Sequence, residues 1–264
     1  MNDLTDPSLL AQAKYVGSSA RRPLIERFVK GRGQYVADLR RPHTLHAVFA
    51  RSSIAHGRIR AVNTARAAAV EGVVRILTGQ DIAHMLPQPQ IYDLPEQQVS
   101  GMLPLATDTV LYVGHAVAVV VATSLRAAAR ACALLEADIE PLPVVADVEE
   151  AMRSDAPAVH AHWTHNRVAT SRWNSADVPA KLAESFLVIE GVFKTPRAHA
   201  LPLETRGVLA EPGSETGCVT LYTATQSPHQ VRGHVAHTLG WPEHRLRVVA
   251  PDIGGAFGMK VWMY

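Results

Sequence analysis

Residues 116–122 read AVAVVVA, seven positions without a polar side chain. A strand with one wet face alternates polar and apolar residues, whereas an unbroken apolar strand has to be covered on both faces. Seven residues are far too few to span a bilayer as a helix. The segment, with Thr123, therefore predicts a central strand with a layer on either side. Ser124 is a suitable N-cap, and the alanine- and leucine-rich stretch after it predicts a helix over 125–136. Further strands are predicted at 44–52, 58–63, 72–79 and 109–114, and a helix at about 64–70. Asp81, following Gly79, opens a short helix, and Gly114 supplies a turn. Residues 85–108 carry proline, glutamine and glycine without a period and predict a long loop. Pro141 and Pro143 cannot donate to a ladder, so 138–145 predicts an extended edge segment.

Composition narrows the classes. The 264 residues are 47% hydrophobic and 19% charged, with 26 basic and 24 acidic side chains. That is globular, and the small net charge argues against nucleic acid as a partner. The basic cluster at 20–32 reads as a solvated segment or a partner contact. Cys132 and Cys218 form no CxxC pair, so neither a disulfide framework nor a zinc knuckle is indicated. The N-terminus lacks a secretory pattern and no run is long enough for a membrane span, so a soluble cytoplasmic chain is expected. His160, His162 and His165 are dense but lack an acidic or thiol partner, and no metal is assigned to them.

The organisation is an α/β chain in the broad, α+β sense. An irregular arm covers 1–34 and a strand-and-helix domain covers 35–149. A linker of weak periodicity covers 150–184, and a second unit begins at 185 with strands expected at 185–195, within 202–212, and at 218–225.

The second unit holds the segment with the clearest chemistry, residues 223–260. Ser227, Pro228 and Gln230 suit the N-cap, first turn and capping box of a helix. Val231, Val235 and Leu239 form its apolar stripe, and Gly240 with Pro242 ends it. A strand follows at RLRVVA, then the loop APDIGGAFGMK, residues 250–260. Gln226 falls between a strand and a helix N-terminus, where free N–H groups stabilise a partly negative atom. If the flanking strands are parallel, as the crossover rule favours, the glycine loop lies at the same end. The loop is no P-loop, because Met259 precedes Lys260 and Val261 follows it. Gly254, Gly255 and Gly258 do not match a dinucleotide fingerprint. Two readings remain: close approach of bare backbone to a ligand, or a tight turn with Phe257 plugging a core.

These motifs resemble the molybdenum-binding large subunit of the xanthine dehydrogenase, aldehyde oxidase and carbon monoxide dehydrogenase family. The resemblance runs almost end to end. It includes VGSSARRPLIERFVKGRGQYVADL, LHAVFARSSIAHGRI, GVVRILTGQDI, YVGHAVAVVVA and PLETRG, and is most specific in TQSPHQVR and APDIGGAFGMK. It implies an α/β-hammerhead domain followed by the opening part of a molybdopterin-binding domain. It implies a molybdenum–molybdopterin cofactor, with the pterin cytosine dinucleotide as one form. Gln226 would present its amide to an oxygen ligand of the metal. Gly254, Gly255, Ala256, Phe257 and Gly258 would bring backbone N–H groups to the metal centre and pterin, in the manner of an oxyanion hole. The implied reaction is oxidation of an aldehyde, carbon monoxide, a purine or an N-heterocycle by a metal-bound oxygen species. Electrons would pass to a [2Fe–2S] subunit and an FAD-binding subunit.

Ala256 stands where the family has glycine, which is tolerable only at negative φ. His115 stands where glutamate is common, and an exposed or domain-contact role is expected. Glu204 is expected in a structural ion pair with Arg206 or a neighbour. The family's catalytic glutamate would lie beyond Tyr264, so no catalytic residue is assigned. The chain is expected to be a gene fragment or one piece of a split subunit that needs the rest of the large subunit. It would be inactive and poorly soluble alone. Non-enzymatic alternatives are a hammerhead module for assembly or interaction, and a small-molecule binder.

Overall fold

The structure is a computed structural model that describes residues 19, 25–87, 89, 94–173, 175, 177–213 and 217–261. Most of the expected arm, 1–34, lies outside the described residues. Its described part holds a short helix, α1 (Ile25–Val29).

Two three-stranded antiparallel sheets follow. In chain order their elements are β1 (His46–Arg51), β2 (Gly57–Asn63), helix α2 (Ala65–Ala68), β3 (Val73–Thr78), β4 (Thr109–Val110), β5 (Ala116–Ala122), helix α3 (Leu125–Cys132) and β6 (Glu136–Pro141). One sheet has the order β1-β5-β3 and the other β4-β2-β6. The apolar strand β5 is thus central, paired with β1 through Val48↔Val120 and with β3 through Ile76↔Val120. Val120 and Ala122 pack on Ala67, Ala128 and Ala131 of the two helices. Val119 joins Ile82 and Leu105, while Val117 joins Ala106 and Val110. Alanines on the helix side let α3 approach the sheet closely. Ser124 caps α3 by accepting the Ala127 N–H at 3.2 Å.

Three boundaries differ from expectation. Helix α3 stops at Cys132, not 136, because Glu136 is taken into register with Asn63 on β2. Strand pairing there overrides a helical composition. The strand expected over 109–114 keeps only two residues, since Gly114 at φ 92° turns the chain and donates to the Ser52 carbonyl. The helix after Gly79 is a single 3-10 turn, Gln80–Ile82. The proline-bearing β6 does lie at an edge, as expected.

Beyond the sheets come two short helices, α4 (Val148–Ala151) and α5 (Val178–Ala183). The histidine-rich stretch packs on the preceding loop rather than forming a ligand set. The His162 Nε2 and the Trp163 indole N–H both reach the Val99 carbonyl, and the His160 ring lies 4.2 Å from that of Trp163. Among the described residues no group of three or more His, Cys, Asp or Glu could hold a metal ion. The strand expected at 185–195 does not form: the chain there has no regular structure, and beyond Ser185 its backbone pairs with nothing described.

The second unit has the sheet order β7-β8-β9, from β7 (Val208–Pro212), β8 (Val219–Thr223), helix α6 (Pro228–Leu239) and β9 (Leu246–Val249). β8 and β9 are parallel, with α6 crossing between them. Gly240 ends α6 at φ 64°. Val235, Thr238 and Leu239 face Phe49, Leu77 and Val119 across an apolar cleft of about 290 Å³, so α6 also rests on the first unit. The N-terminal strap ties both ends of the second sheet. Arg41 pairs with Glu211 at 2.8 Å, and Arg27 grips Asp252 through two 2.5 Å bonds.

Candidate cofactor site

The parallel register of β8 and β9 brings two corners together. Gln226 sits in the turn from β8 into α6, and the glycine loop follows β9. The Gln226 N–H donates to the Lys260 carbonyl at 2.9 Å. The buried Thr225 hydroxyl donates to the same carbonyl at 3.0 Å and accepts the Ser227 N–H at 3.1 Å. The expected capping box is absent: the Ser227 side chain makes no cap, and the Ser227 N–H that Gln230 would accept is taken by the Thr225 hydroxyl. The side chain of Gln226 is exposed at the mouth of this corner.

The loop's conformation explains its glycines. Gly255 and Gly258 lie at φ 93° and 87°, where a side chain is strained. Gly254 is not left-handed, but a Cβ on it would come within 2.6 Å of the Glu204 Cβ. Ala256 does not have a positive φ, so its methyl is tolerated, and it is buried. The left-handed non-glycine is Phe257, at φ 51°. Its ring is 77% exposed, which removes the reading of Phe257 as a core plug. The N–H groups of Gly255, Ala256, Phe257 and Gly258 have no acceptor among the described residues.

Glu204 holds the loop. One carboxylate oxygen, Oε2, accepts from the Gly254 N–H at 2.9 Å and from the Lys260 ammonium at 2.8 Å. The Glu204 N–H returns a bond to the Gly254 carbonyl. The ion pair expected for Glu204 thus exists with Lys260, which is 2% exposed, and not with Arg206. Arg206 instead donates to the Met259 carbonyl at 3.2 Å. Both ends of the loop are fixed to one carboxylate while its tip is left open. The other oxygen, Oε1, is buried without a hydrogen-bond partner among the described residues, an acceptor that a bound donor or an ordered water would satisfy. Thr225 and Lys260 were not singled out from sequence. Their signal was slight: a polar residue ending an apolar strand, and a lysine closing the glycine motif.

Asp252, two residues before Gly254, has its carboxyl held below the usual range by the Arg27 guanidinium and by the Gln34 N–H at 2.7 Å. His115 lies elsewhere and is not exposed. It is buried, stacks on Tyr112, and its Nδ1 accepts the Leu111 N–H at 3.2 Å. Burial, then the nearby Arg51, push its pKa down.

The donor set is suited to an oxygen-rich anionic group: four unpaired amides, a helix N-terminus and an exposed carboxamide, with no side-chain metal ligands among the described residues. The class is a hammerhead domain joined to a molybdopterin-binding domain, and comparisons with known proteins agree. Residues 30–143 match the aldehyde oxidase and xanthine dehydrogenase a/b hammerhead domain, and residues 159–264 the molybdopterin cofactor-binding domain. The chain is 37% identical to the carbon monoxide dehydrogenase large chain of Afipia carboxidovorans, over 95% of its own length and 32% of that protein's. It is 32% identical to the nicotine 6-hydroxylase large subunit of Paenarthrobacter nicotinovorans, over 94% of this chain and 30% of the other. The crystal structure of quinoline 2-oxidoreductase from Pseudomonas putida 86 superposes with a TM-score of 0.84 at 36% identity, covering 92% of this chain and 31% of that one. The chain belongs to the xanthine dehydrogenase, aldehyde oxidase and carbon monoxide dehydrogenase family, as part of a molybdopterin-binding large subunit. It spans about a third of the length of the relatives it matches. Among the described residues no helix is long and apolar enough to cross a membrane.

Proposed function

We propose that this chain supplies the hammerhead domain and one wall of the cofactor site of a molybdenum hydroxylase, and that it turns over no substrate without the remainder of a large subunit. The observation that carries the reading is the 2.9 Å bond from the Gln226 N–H to the Lys260 carbonyl. It joins the strand–helix corner to a loop whose tip presents four unpaired amides. Bound molybdopterin supplies the redox chemistry that oxidises a carbon centre. The chain's own residues orient and stabilise it. Gln226 donates from its carboxamide, the amides of 255–258 donate from the loop, and the exposed ring of Phe257 stands beside those amides. None of these groups is basic enough to take a proton from a substrate. Glu204 is already committed to Lys260 and Gly254. An iron–sulfur subunit and an FAD-binding subunit are the electron partners of this reading.

Molybdenum and pterin measured on the chain purified from a host that makes the cofactor test it. The expected content is well below one equivalent. It should rise towards one when the rest of a large subunit is supplied, and fall again with Gln226→Ala or Gly258→Val. Stoichiometric cofactor on the chain alone would overturn the division of labour. Full loading despite both substitutions would remove the site, leaving the non-catalytic assembly module as the better reading.

A further inference from the structure

The cleft between α6 and the first unit has no polar atom on its open walls. Its floor is one face of a sheet. Phe49 on β1 and Leu77 on β3 both pair with Val119 on β5, so the three side chains lie abreast. Val235 and Leu239, one turn apart on α6, form the opposite wall. An apolar hollow of about 290 Å³ holds water poorly and takes a small apolar body. A single cation stands at its Phe49 end. The Arg51 guanidinium lies over that ring, 5.5 Å from its centroid. Its Nη1 donates to the Gly114 carbonyl at 2.9 Å, which leaves N–H donors unused. Among the described residues Arg51 forms no ion pair with a carboxylate. The Phe49 ring is 45% exposed, so it is a wall of the cleft and a floor beneath the charge at once.

We propose that this cleft binds a small amphipathic monocarboxylate, with its apolar chain between Val119 and Val235 and its carboxylate on Arg51. Charge selects the class. A guanidinium offers a carboxylate paired, charge-assisted hydrogen bonds, whereas it repels an amine and gains little from a hydrocarbon. The walls select the rest of the molecule, because a sugar phosphate or a nucleotide would bury polar groups against them without partners. The cleft is lined by the last turns of α6, roughly 16 Å along the helix from its start beside Gln226. The ligand would therefore bridge the first unit and the far end of the helix whose start carries the cofactor corner, and would stabilise the contact between the two units.

The test titrates octanoate, and its neutral counterpart octanol, into the 264-residue chain by calorimetry at neutral pH. The host makes no molybdopterin, so the outcome is independent of cofactor capture. Octanoate is expected to bind one-to-one, about tenfold or more tighter than octanol, and to raise the Tm. Arg51→Gln should reduce octanoate to the level of octanol and leave octanol unchanged, while Arg51→Lys keeps part of the preference. Val235→Phe, which fills the cleft, should weaken both ligands. Nuclear Overhauser contacts from octanoate to the methyl groups of Met85 and Leu239 locate the ligand in the unaltered chain, whatever the substitutions do to folding. Absence of octanoate binding would overturn the proposal. So would equal affinity for the two ligands, an Arg51→Gln chain that still prefers octanoate, or contacts only to residues outside the cleft. A dimer that octanoate fails to dissociate in ultracentrifugation, with those methyl groups at its interface, would make a second copy the occupant instead.

Discussion

Gly254 has no room for a side chain, and this follows from Glu204 rather than from backbone angles. Gly254→Ala would place a methyl 2.6 Å from the Glu204 Cβ and push the carboxylate off both of its partners. Overpacking of this sort costs about 1–3 kcal/mol, so a lower Tm is expected by calorimetry. The same substitution at Gly258 meets open space and strains only the backbone. Lys260 poses a different problem. Lys260→Met would leave the Glu204 carboxylate, itself mostly buried, without its counter-charge. Removing one partner of a buried ion pair costs roughly 3 kcal/mol or more. Urea unfolding should show that loss, and Glu204→Gln added to Lys260→Met should recover part of it. A double variant no better than the single one would show that the carboxylate is held by Gly254 alone. The glycine motif and Gln226 were legible as residues. The clamp beneath them was not, because Glu204 and Lys260 are 56 positions apart and only the parallel sheet makes them neighbours.

At the scale of elements, α6 sets the spacing between the two corners. Its start is fixed by Pro228 and by the Thr225 hydroxyl. Its end is fixed by Gly240 in the left-handed region, where a Cβ would meet nothing within 4 Å. Gly240→Ala therefore isolates the backbone contribution, and a loss of about 1 kcal/mol is expected. Gly240→Asn should lose less, since asparagine tolerates that conformation better. Equal losses in chemical denaturation would mean that side-chain contacts, not φ, decide the position. Element types were largely readable from periodicity: β5 was legible as a doubly covered strand and α6 as a helix, although the residues α6 buries are Val231, Ala236 and Thr238 and, of the expected stripe, Val235 and Leu239 are only half-buried. Their limits were harder. α3 stops short of what its composition suggests because β2 recruits Glu136, and no local signal reports a partner so distant in the chain. The stretch at 185–195 is the converse case, a strand signal with no described partner to answer it.

For the molecule as a whole, charge and burial predict how stability follows pH. His115 is buried and its pKa lies below the ordinary 6.5. The unfolded chain takes up the proton near 6.5, while the folded chain takes it up only at lower pH. The stability gained by keeping the ring neutral is thus complete above about pH 6.5 and is lost as pH falls from there through the folded value. His160 and His234 are displaced the same way, mainly by burial. Tm should fall between about pH 7.5 and 5.5, and His115→Gln should flatten part of that fall while still accepting from Leu111. An unchanged profile in the variant would count against the assignment. Asp252 acts in a more acidic window. Its carboxyl, held low by Arg27 and Gln34, contributes above the ordinary carboxylate range, and the contribution is lost only as pH drops through its depressed value. Because this contact straps the N-terminal segment to the approach of the glycine loop, acid should loosen the loop together with the strap.

The amino-acid sequence by itself determined which segments are apolar on one face or two, where glycine and proline interrupt them, and which residues carry hydrogen-bond donors. These are local properties, set by side-chain chemistry and backbone sterics. Tertiary structure alone decided that Thr225, Gln226, Glu204 and Lys260 meet, that Phe257 and not Ala256 takes the strained conformation, and that His115 is enclosed. Each of those depends on contacts between positions distant in the chain, whose energies exist only once the strands are in register.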